Sequence, residues 1–388
     1  PKPSSAASDV YKRQLLSLDG SLSLGNFVVT SNNNIAMLAG AASSMVCYVI
    51  DGTTTPASYQ FYNTYNSEAK IVLKDGYIYA VTLSHQLFRL TEDCHTQITG
   101  PVNLGIAAQN SLMALADTGT TTISGFSVHS TTRVVTRFQI NSTDLTFSSA
   151  AVATLPLESN HATPQSYRMS FTTDRLYFLG RNSRDNIALN TFYDPVLNIV
   201  EMNTWNILGS YFFQDTSVDD LNNYLVVIRE SRGDLFAFGQ YDDNRMGYKS
   251  LLAKLLPDGQ VDKTFATLGY WTSGDYLIQD AIELSTKEYL LSVRRSNDNA
   301  YGFLKIDHSG QVVTGFATAG FYQLPGGYSF NTMSTPPFES NGILYITALA
   351  SPLAKLFLLN IGTGTATVVD IKVPIAVSYT HLTLPTKA

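Results

Sequence analysis

A unit that returns along the chain at a nearly fixed step constrains the fold more than any other feature. One clear copy lies around Gly259 and Phe265, and the next lies around Gly310 and Phe316, so that both pairs are 51 residues apart. A regular step of this size indicates a repeat architecture, in which each unit buries its faces against its neighbours.

Each unit has the pattern of a strand, a short polar loop, a second strand and a tight turn. Seven first strands are predicted near 35–38, 77–80, 112–115, 176–179, 235–238, 289–292 and 343–346. The second strands are predicted to close on turns near 51–52, 91–93, 141–142, 193–195, 257–259, 307–310 and 362–364. Asp, Asn and Gly recur there because such turns need a left-handed or self-capped backbone, so they indicate geometry rather than catalysis. A further copy of a second strand at 16–20 lacks a partner.

The fold predicted from these units is all-β: a β-propeller of about seven four-stranded antiparallel blades. A solenoid of β-hairpins is the structural alternative. The composition agrees, since 44% of the residues are hydrophobic, only 14% are charged and 22 are tyrosines. The uncharged and mostly apolar stretch 35–50 contains a Gly-Ala-Ala-Ser-Ser break and therefore indicates two strands around a turn rather than a membrane span.

Residues 255–265 resemble the signature of the delta-60 repeat family. A strand ends at the Asp258-Gly259 turn, and Asp262 and Phe265 follow in an Asp-x-x-Phe segment. The stretch 305–316 is similar but lacks an Asp equivalent to Asp262, and the resemblance covers residues 224–321. It implies a propeller-like bacterial repeat protein that is exported or surface-associated and has no general enzymatic activity.

The two ends of the chain resemble translated sequencing-adapter DNA. Residues 4–14 have this character, and 377–386 can be encoded by the opposite strand of the same DNA. We therefore expect 1–14 and 377–388 to be non-native and 15–376 to be a propeller repeat domain, cut at both ends, from a metagenomic fragment.

The charge of the chain argues against a nucleic-acid partner. The net charge is −6, and the two adapter-like ends contribute +3 through three lysines, Arg13 and Asp9, which leaves −9 for 15–376. No basic stripe is present that could contact phosphates.

The two cysteines, Cys47 and Cys94, allow two interpretations. They could form one bridge in an oxidising compartment. The sequence favours two buried free thiols instead, because spacing alone cannot demonstrate a disulfide.

Three loops between second and third strands are rich in Asp and Asn. Alternate loops of an antiparallel sheet emerge on the same side, so these loops should gather on one rim together with the connections between blades. The candidate ligand-binding residues on that rim are Asp185, Asn186, Asp242, Asp243, Asn244, Asp298 and Asn299. Such loops can bind a sugar, a cation or a surface partner. They can equally be ordinary turns, and none has the residue spacing of a calcium-binding loop.

Motifs for nucleophilic or metal-dependent catalysis are missing from the sequence. It contains no Gly-x-Ser-x-Gly, His-Glu-x-x-His, Gly-x-x-x-x-Gly-Lys or Cys-x-x-Cys. The acidic stretch with Asp215, Asp219 and Asp220 is interpreted as a solvated loop. We therefore predict no catalytic residue, no metal ligand and no cofactor.

The preferred function is a non-catalytic binding or scaffold module, exported to the bacterial cell surface or periplasm. We expect a monomer whose loop-bearing rim engages a protein or a carbohydrate. One alternative is a structural repeat segment of a larger surface protein. The other is a propeller hydrolase or lyase that uses carboxylates from different blades at the mouth of the central channel.

Overall fold

The chain folds into antiparallel β-sheets. The computed structural model describes residues 23–371 except 33, 42–43, 51–56, 63–68, 83–84, 107–109, 118–119, 130, 157–166, 173, 185–191, 213–221, 244–246, 331–336 and 351–352. Within these ranges there are 29 strands in seven sheets, which we number 1 to 7 in chain order. The predicted adapter-like ends and the lone strand at 16–20 lie outside the described residues and stay predictions.

Sheets 1 to 3 contain four strands each. They are β1 (Ser23–Val29), β2 (Ile35–Ala41), β3 (Ser44–Ile50) and β4 (Ala57–Tyr62); β5 (Ala69–Lys74), β6 (Tyr77–Thr82), β7 (Gln86–Thr91) and β8 (Gln97–Asn103); and β9 (Asn110–Asp117), β10 (Thr122–His129), β11 (Val134–Asn141) and β12 (Phe147–Thr154).

Sheets 4 to 6 also contain four strands each. They are β13 (Tyr167–Phe171), β14 (Arg175–Arg184), β15 (Phe192–Glu201) and β16 (Ile207–Phe212); β17 (Asn222–Ser231), β18 (Asp234–Asp243), β19 (Gly247–Leu255) and β20 (Tyr270–Ser273); and β21 (Tyr276–Glu283), β22 (Tyr289–Arg295), β23 (Tyr301–Ile306) and β24 (Phe321–Gln323).

Sheet 7 has five strands: β25 (Ser329–Phe330), β26 (Phe338–Ser340), β27 (Ile343–Ala350), β28 (Leu353–Asn360) and β29 (Ala366–Ile371). Both β25 and β26 pair with β27. The prediction of four strands per blade is therefore wrong for this sheet, since residues 331–336 separate two short strands on one side of it.

The sheets are arranged as the blades of a propeller. Strands follow one another through each sheet in chain order, and the first strands of sheets 1 to 6 contact one another in sequence. The predicted all-β β-propeller is confirmed by this arrangement. Within the described ranges we find no apolar helix of the length needed to cross a bilayer.

Two details of the predicted units are wrong. The strand predicted at 112–115 lies in β9, whereas the hairpin of sheet 3 that ends at the 141–142 turn begins with β10; the other six predicted strands each begin the central hairpin of their sheet. The repeated unit corresponds to the two middle strands of each sheet and the turn that follows them. The turn predicted at 193–195 is strand, because Pro195 pairs with Arg181 inside the hairpin of β14 and β15.

Apolar clusters fill the space between neighbouring sheets. Each cluster takes side chains from two adjacent sheets, and six clusters join sheets 1 to 7 in order. Between sheets 5 and 6, Phe265 is fully buried and its ring packs edge-on against Tyr289 at 5.2 Å between centroids. Because both faces of these sheets are apolar, a single sheet would be unstable in water, and neighbouring sheets stabilise one another by burying these faces.

The turn after the third strand receives hydrogen bonds from the preceding sheet. The hydroxyl of Tyr79 donates to the carbonyl of Ser142 at 2.9 Å, and that of Tyr177 donates to the carbonyl of Pro257 at 2.9 Å. In sheet 6, the ammonium of Lys305 donates to the carbonyl of Ile361 at 3.1 Å. These bonds fix the position of each turn relative to the preceding sheet.

The repeated signature has the same backbone bonding in both copies. The N–H of Asp262 donates to the carbonyl of Lys254, and 51 residues later the N–H of Val313 donates to the carbonyl of Lys305, both at 2.9 Å. The turn therefore keeps its form where Val313 replaces Asp262. Asp262 adds a local cap, since its carboxylate accepts hydrogen bonds from Thr264 at 3.0 Å (N–H) and 2.6 Å (hydroxyl).

The two cysteines join sheets 1 and 2. Cys47 in β3 and Cys94 after β7 form a disulfide with their Cα atoms 5.7 Å apart, and both residues are fully buried. The sequence-based preference for two free thiols is therefore wrong. Spacing could not reveal the bridge because the partners meet only through the packing of two sheets.

We expect Phe265→Ala to lower the free energy of unfolding by about 3 to 5 kcal/mol, because it leaves a cavity among buried rings. Leu268→Ala is the matched control, since Leu268 lies in the same segment but is 71% exposed, and its effect should stay within about 0.5 kcal/mol. Chemical denaturation of the two variants measures both values. Equal stability of the two variants would show that Phe265 is not part of the core.

Candidate binding face

The propeller presents two different faces. The loop-bearing face carries the loops between second and third strands and the connections to the next sheet; in sheet 6 these are 296–300 and 324–328. The turn-bearing face carries the turns between first and second and between third and fourth strands, including 256–269 and 307–320. The regular signature thus lies on one face and the variable loops lie on the other.

The predicted rim residues are only partly described. Asp185, Asn186 and Asn244 lie outside the described residues, and Asp242 and Asp243 end β18, where only the backbone is described. Asp298 and Asn299 lie in the exposed loop between β22 and β23, as predicted. The proposed role of all seven residues in binding stays a prediction.

A cavity of about 320 Å³ opens on the loop-bearing face where sheet 6 meets sheet 7. Its wall contains both the loop between β22 and β23 and the connection to β25, which confirms for this sheet that the two share a face. The lining residues are Asp298, Asn299, Ala300, Tyr301, Gln323, Leu324, Pro325, Gly326, Gly327, Tyr328 and Ser329.

The cavity is positioned by backbone bonds that recur in other sheets. The N–H of Leu324 donates to the carbonyl of Tyr301 at 2.8 Å, which ties the connection to the start of the third strand. Leu104 and Leu155 make the same bond in sheets 2 and 3 at 2.9 and 3.1 Å. All three leucines are buried. The connection therefore leaves each sheet from a fixed point.

Arg295 holds the polar side of the cavity in place. Its guanidinium binds both carboxylate oxygens of Asp298 at 3.0 and 2.6 Å and donates to the amide oxygen of Gln323 at 3.0 Å. The ring of Phe321 lies 4.8 Å from the guanidinium carbon. Asp298 also accepts a hydrogen bond from the N–H of Ala300 at 3.1 Å. Arg295 holds the pKa of Asp298 below its usual range through these hydrogen bonds.

The other side of the cavity is aromatic. Tyr301 and Tyr328 are half-buried and pack against the cluster between sheets 6 and 7. Tyr328 meets Phe357 edge-on at 5.7 Å, and the ammonium of Lys355 lies 5.2 Å from the Tyr328 ring. The combination of fixed amide and carboxylate groups with aromatic rings suits the binding of a small ligand.

Sequence analysis missed Gln323 and Tyr328 in the lining of this cavity, and it missed Arg295, which binds Asp298 and Gln323. The Pro-Gly-Gly stretch at 325–327 marked a loop, but nothing in the sequence placed it against Asp298. The juxtaposition depends on the packing of sheet 6 against sheet 7.

The turn-bearing face holds a cluster of ionisable groups between sheets 5 and 6. The ammonium of Lys254 is 2.6 Å from Asp234 and 3.8 Å from Asp262, and it donates to the hydroxyl of Tyr289 at 3.3 Å. The Tyr289 hydroxyl is also 2.9 Å from Nδ1 of His308. Burial lowers the pKa of Lys254, but hydrogen bonds to Asp234 and Tyr289 outweigh burial and raise it overall.

The lysine of this cluster is part of the repeat. Lys305, 51 residues after Lys254, is also buried and pairs with Glu288 at 2.5 Å. Each lysine lies 5.7 Å from an aromatic ring, that of Tyr289 for Lys254 and that of Phe316 for Lys305. An alignment of the two copies could have found this pair, since each lysine directly precedes the strand end at the turn. The arrangement stabilises the turn, because a buried lysine requires a partner.

Two buried carboxylates of the described residues, Asp280 and Glu283, take part in ion pairs. Asp280 in β21 binds Arg229 in β17 at 3.2 and 2.8 Å, and Glu283 binds Lys287 at 2.8 Å. The described residues contain no group of three or more His, Cys, Asp or Glu side chains that could hold a metal ion. The acidic stretch 213–221 lies outside them.

We expect the stability of Glu283→Gln relative to the wild type to increase as the pH rises above the ordinary pKa of Glu, about 4.3. Burial raises the pKa of Glu283, Asp234 adds to the increase and Lys287 opposes it. Folding therefore favours the protonated acid, whose contribution is present below the pKa of an unfolded Glu and is lost as pH rises through the folded pKa. Gln stays neutral and avoids this loss.

Urea denaturation at several pH values measures this difference. Asp93→Asn is the control, because Asp93 is an exposed carboxylate away from the cluster. Parallel stability curves for the wild type and Glu283→Gln would contradict the assignment.

Comparisons with known proteins show the fold and no more. No family model and no curated protein matches the chain. Among solved structures, the chain is similar to the β-propeller domain of Myceliophteria thermophila Cps50 (Swd1), with 9% identity, a TM-score of 0.50 and coverage of 90% of this chain and 97% of that one.

Two further solved structures are similar. The match to Saccharomyces cerevisiae Sqt1 has 11% identity and a TM-score of 0.53 and covers 92% of this chain and 91% of the Sqt1 chain. YCF48 bound to D1 peptide has 11% identity and a TM-score of 0.52, with coverage of 86% and 93%. At such identities the likeness establishes that the chain has a β-propeller fold and leaves its function open.

Proposed function

We propose that the chain is a non-catalytic binding or scaffold propeller whose loop-bearing face holds the partner. The cavity between sheets 6 and 7 carries this proposal, because it combines aromatic walls with polar groups fixed by Arg295. The ionisable cluster on the turn-bearing face is better explained as part of the packing between sheets. YCF48, whose structure contains a bound D1 peptide, supports the idea that a propeller of this shape can serve as a binding module.

We propose that this propeller is exported to the bacterial cell surface or periplasm and acts as a monomer. The buried disulfide between Cys47 and Cys94 supports export, since disulfides persist in oxidising compartments and are rare in reducing ones. We further propose that the repeat belongs to the delta-60 family. The identical backbone bonding of the turns at 254–269 and 305–320 supports a genuine repeat.

The binding proposal is tested by blocking the cavity. Gly326 has open space where a Cβ would lie and no positive φ, so Gly326→Trp should insert a bulky ring at the edge of the cavity without straining the backbone. Gly315 meets the same two conditions on the turn-bearing face, which makes Gly315→Trp a matched control. We expect a panel of bacterial envelope oligosaccharides and peptides to contain a ligand that the wild type and Gly315→Trp retain and Gly326→Trp loses.

Mass spectrometry of the same mixtures distinguishes binding from catalysis. We expect every retained ligand to be recovered unchanged. Steady release of cleaved products would overturn the non-catalytic proposal, and equal retention by both tryptophan variants would remove the loop-bearing face from it.

The disulfide that supports the export proposal is tested by counting thiols. We expect no free thiol in the denatured chain after production in a bacterial periplasm, and two free thiols after production in a reducing cytosol. The bridged form should be about 2 to 4 kcal/mol more stable, because the bridge closes a long loop in the unfolded chain. Two free thiols after periplasmic production would contradict the proposal.

A further inference from the structure

Building on the proposed binding function, we infer that the cavity between sheets 6 and 7 binds an uncharged saccharide unit. Three properties of its lining support this ligand class: cancelled charge, oriented amide donors and aromatic walls beside an open lip.

The one charged residue of the cavity lining is paired with a neighbouring arginine. Asp298 is the only lining residue with a formal charge, and both of its carboxylate oxygens are bound by Arg295. An approaching cation would have to compete with a bidentate guanidinium for the carboxylate. An approaching anion would meet the carboxylate beside that guanidinium. The cavity is therefore matched to an uncharged ligand.

The amide of Gln323 is oriented as a donor. Its oxygen accepts the hydrogen bond from Arg295, while its nitrogen has no hydrogen-bond partner among the described residues. The two N–H groups of that nitrogen therefore point away from the guanidinium. Asn299 brings a second exposed amide to the lining from a loop fixed by Asp298. Paired amide groups that both donate and accept are suited to the hydroxyls of a sugar.

The aromatic residues supply the apolar part of the site. Tyr301 and Tyr328 line the cavity together with Leu324. The C–H groups on one face of a pyranose ring carry partial positive charge, and the face of an aromatic ring is negative. A sugar can therefore pack its C–H face on a tyrosine while its hydroxyls meet the amides.

The lip of the cavity is open, and the strand beside it is too short for a peptide to pair with. Gly326 and Gly327 are exposed, and a Cβ at either position would meet nothing within 4 Å. The outer strand β24 has only three residues, Phe321–Gln323. A peptide that binds by adding a strand needs a longer free edge. A compact sugar unit needs none, so we favour it over a peptide.

The test uses the full chain and neutral hexasaccharides of glucose, xylose, galactose and N-acetylglucosamine, with hexagalacturonate as the charged comparison. Saturation-transfer NMR detects binding, and titration gives the dissociation constant. We expect at least one neutral hexasaccharide to bind, with affinity reduced about three- to tenfold by Gln323→Ala and lost with Gly326→Trp. Gln311→Ala, an exposed amide on the turn-bearing face, is the control and should bind like the wild type.

Three outcomes would overturn the inference. These are the absence of binding by every neutral hexasaccharide at about 10 mM, equal binding of hexagalacturonate, and binding that Gln323→Ala and Gly326→Trp leave unchanged. If an uncharged peptide binds instead and Gly326→Trp abolishes its binding, the saccharide inference fails while the proposed binding function stands.

Discussion

The structure depends on the mutual burial of neighbouring sheets. A four-stranded sheet whose two faces are both apolar is stable only when other sheets cover it, and six apolar clusters do this between sheets 1 and 7. Hydrogen bonds from Tyr79, Tyr177 and Lys305 then lock the turns of one sheet to the side chains of another. The regular step of the sequence follows from this requirement, because each unit must present the same surfaces to its two neighbours.

This packing divides the chemistry of the protein between two faces. On the turn-bearing face, the buried Lys254 and Lys305 need acidic partners, and the resulting ion pairs support the turns. On the loop-bearing face, the segments between strands are not constrained by the repeat and can differ from sheet to sheet. The cavity at the junction of sheets 6 and 7 lies on this second face. Residues that recur are thus structural, and the candidate site is built from residues that do not.

Much of the fold could be predicted from the sequence, and less of the site. Hairpin signals and turn residues predicted a propeller and placed six of its seven central hairpins, but in sheet 3 they took β9 for the strand β10. Asp298 and Asn299 were placed on the correct loop. The roles of Arg295 and Gln323 could not be predicted, since their bonds to each other cross from one strand to another. The disulfide between Cys47 and Cys94 escaped prediction for the same reason.

The sequence by itself determined the all-β class, the repeated unit and the turns, because each rests on local backbone preferences and on spacing along the chain. Only the tertiary structure decided which sheets share a cluster, whether the two cysteines meet, and which loop faces the Pro-Gly-Gly connection. Those relations join residues that are distant in sequence, and they are fixed by how the faces of neighbouring sheets fit together rather than by any local pattern.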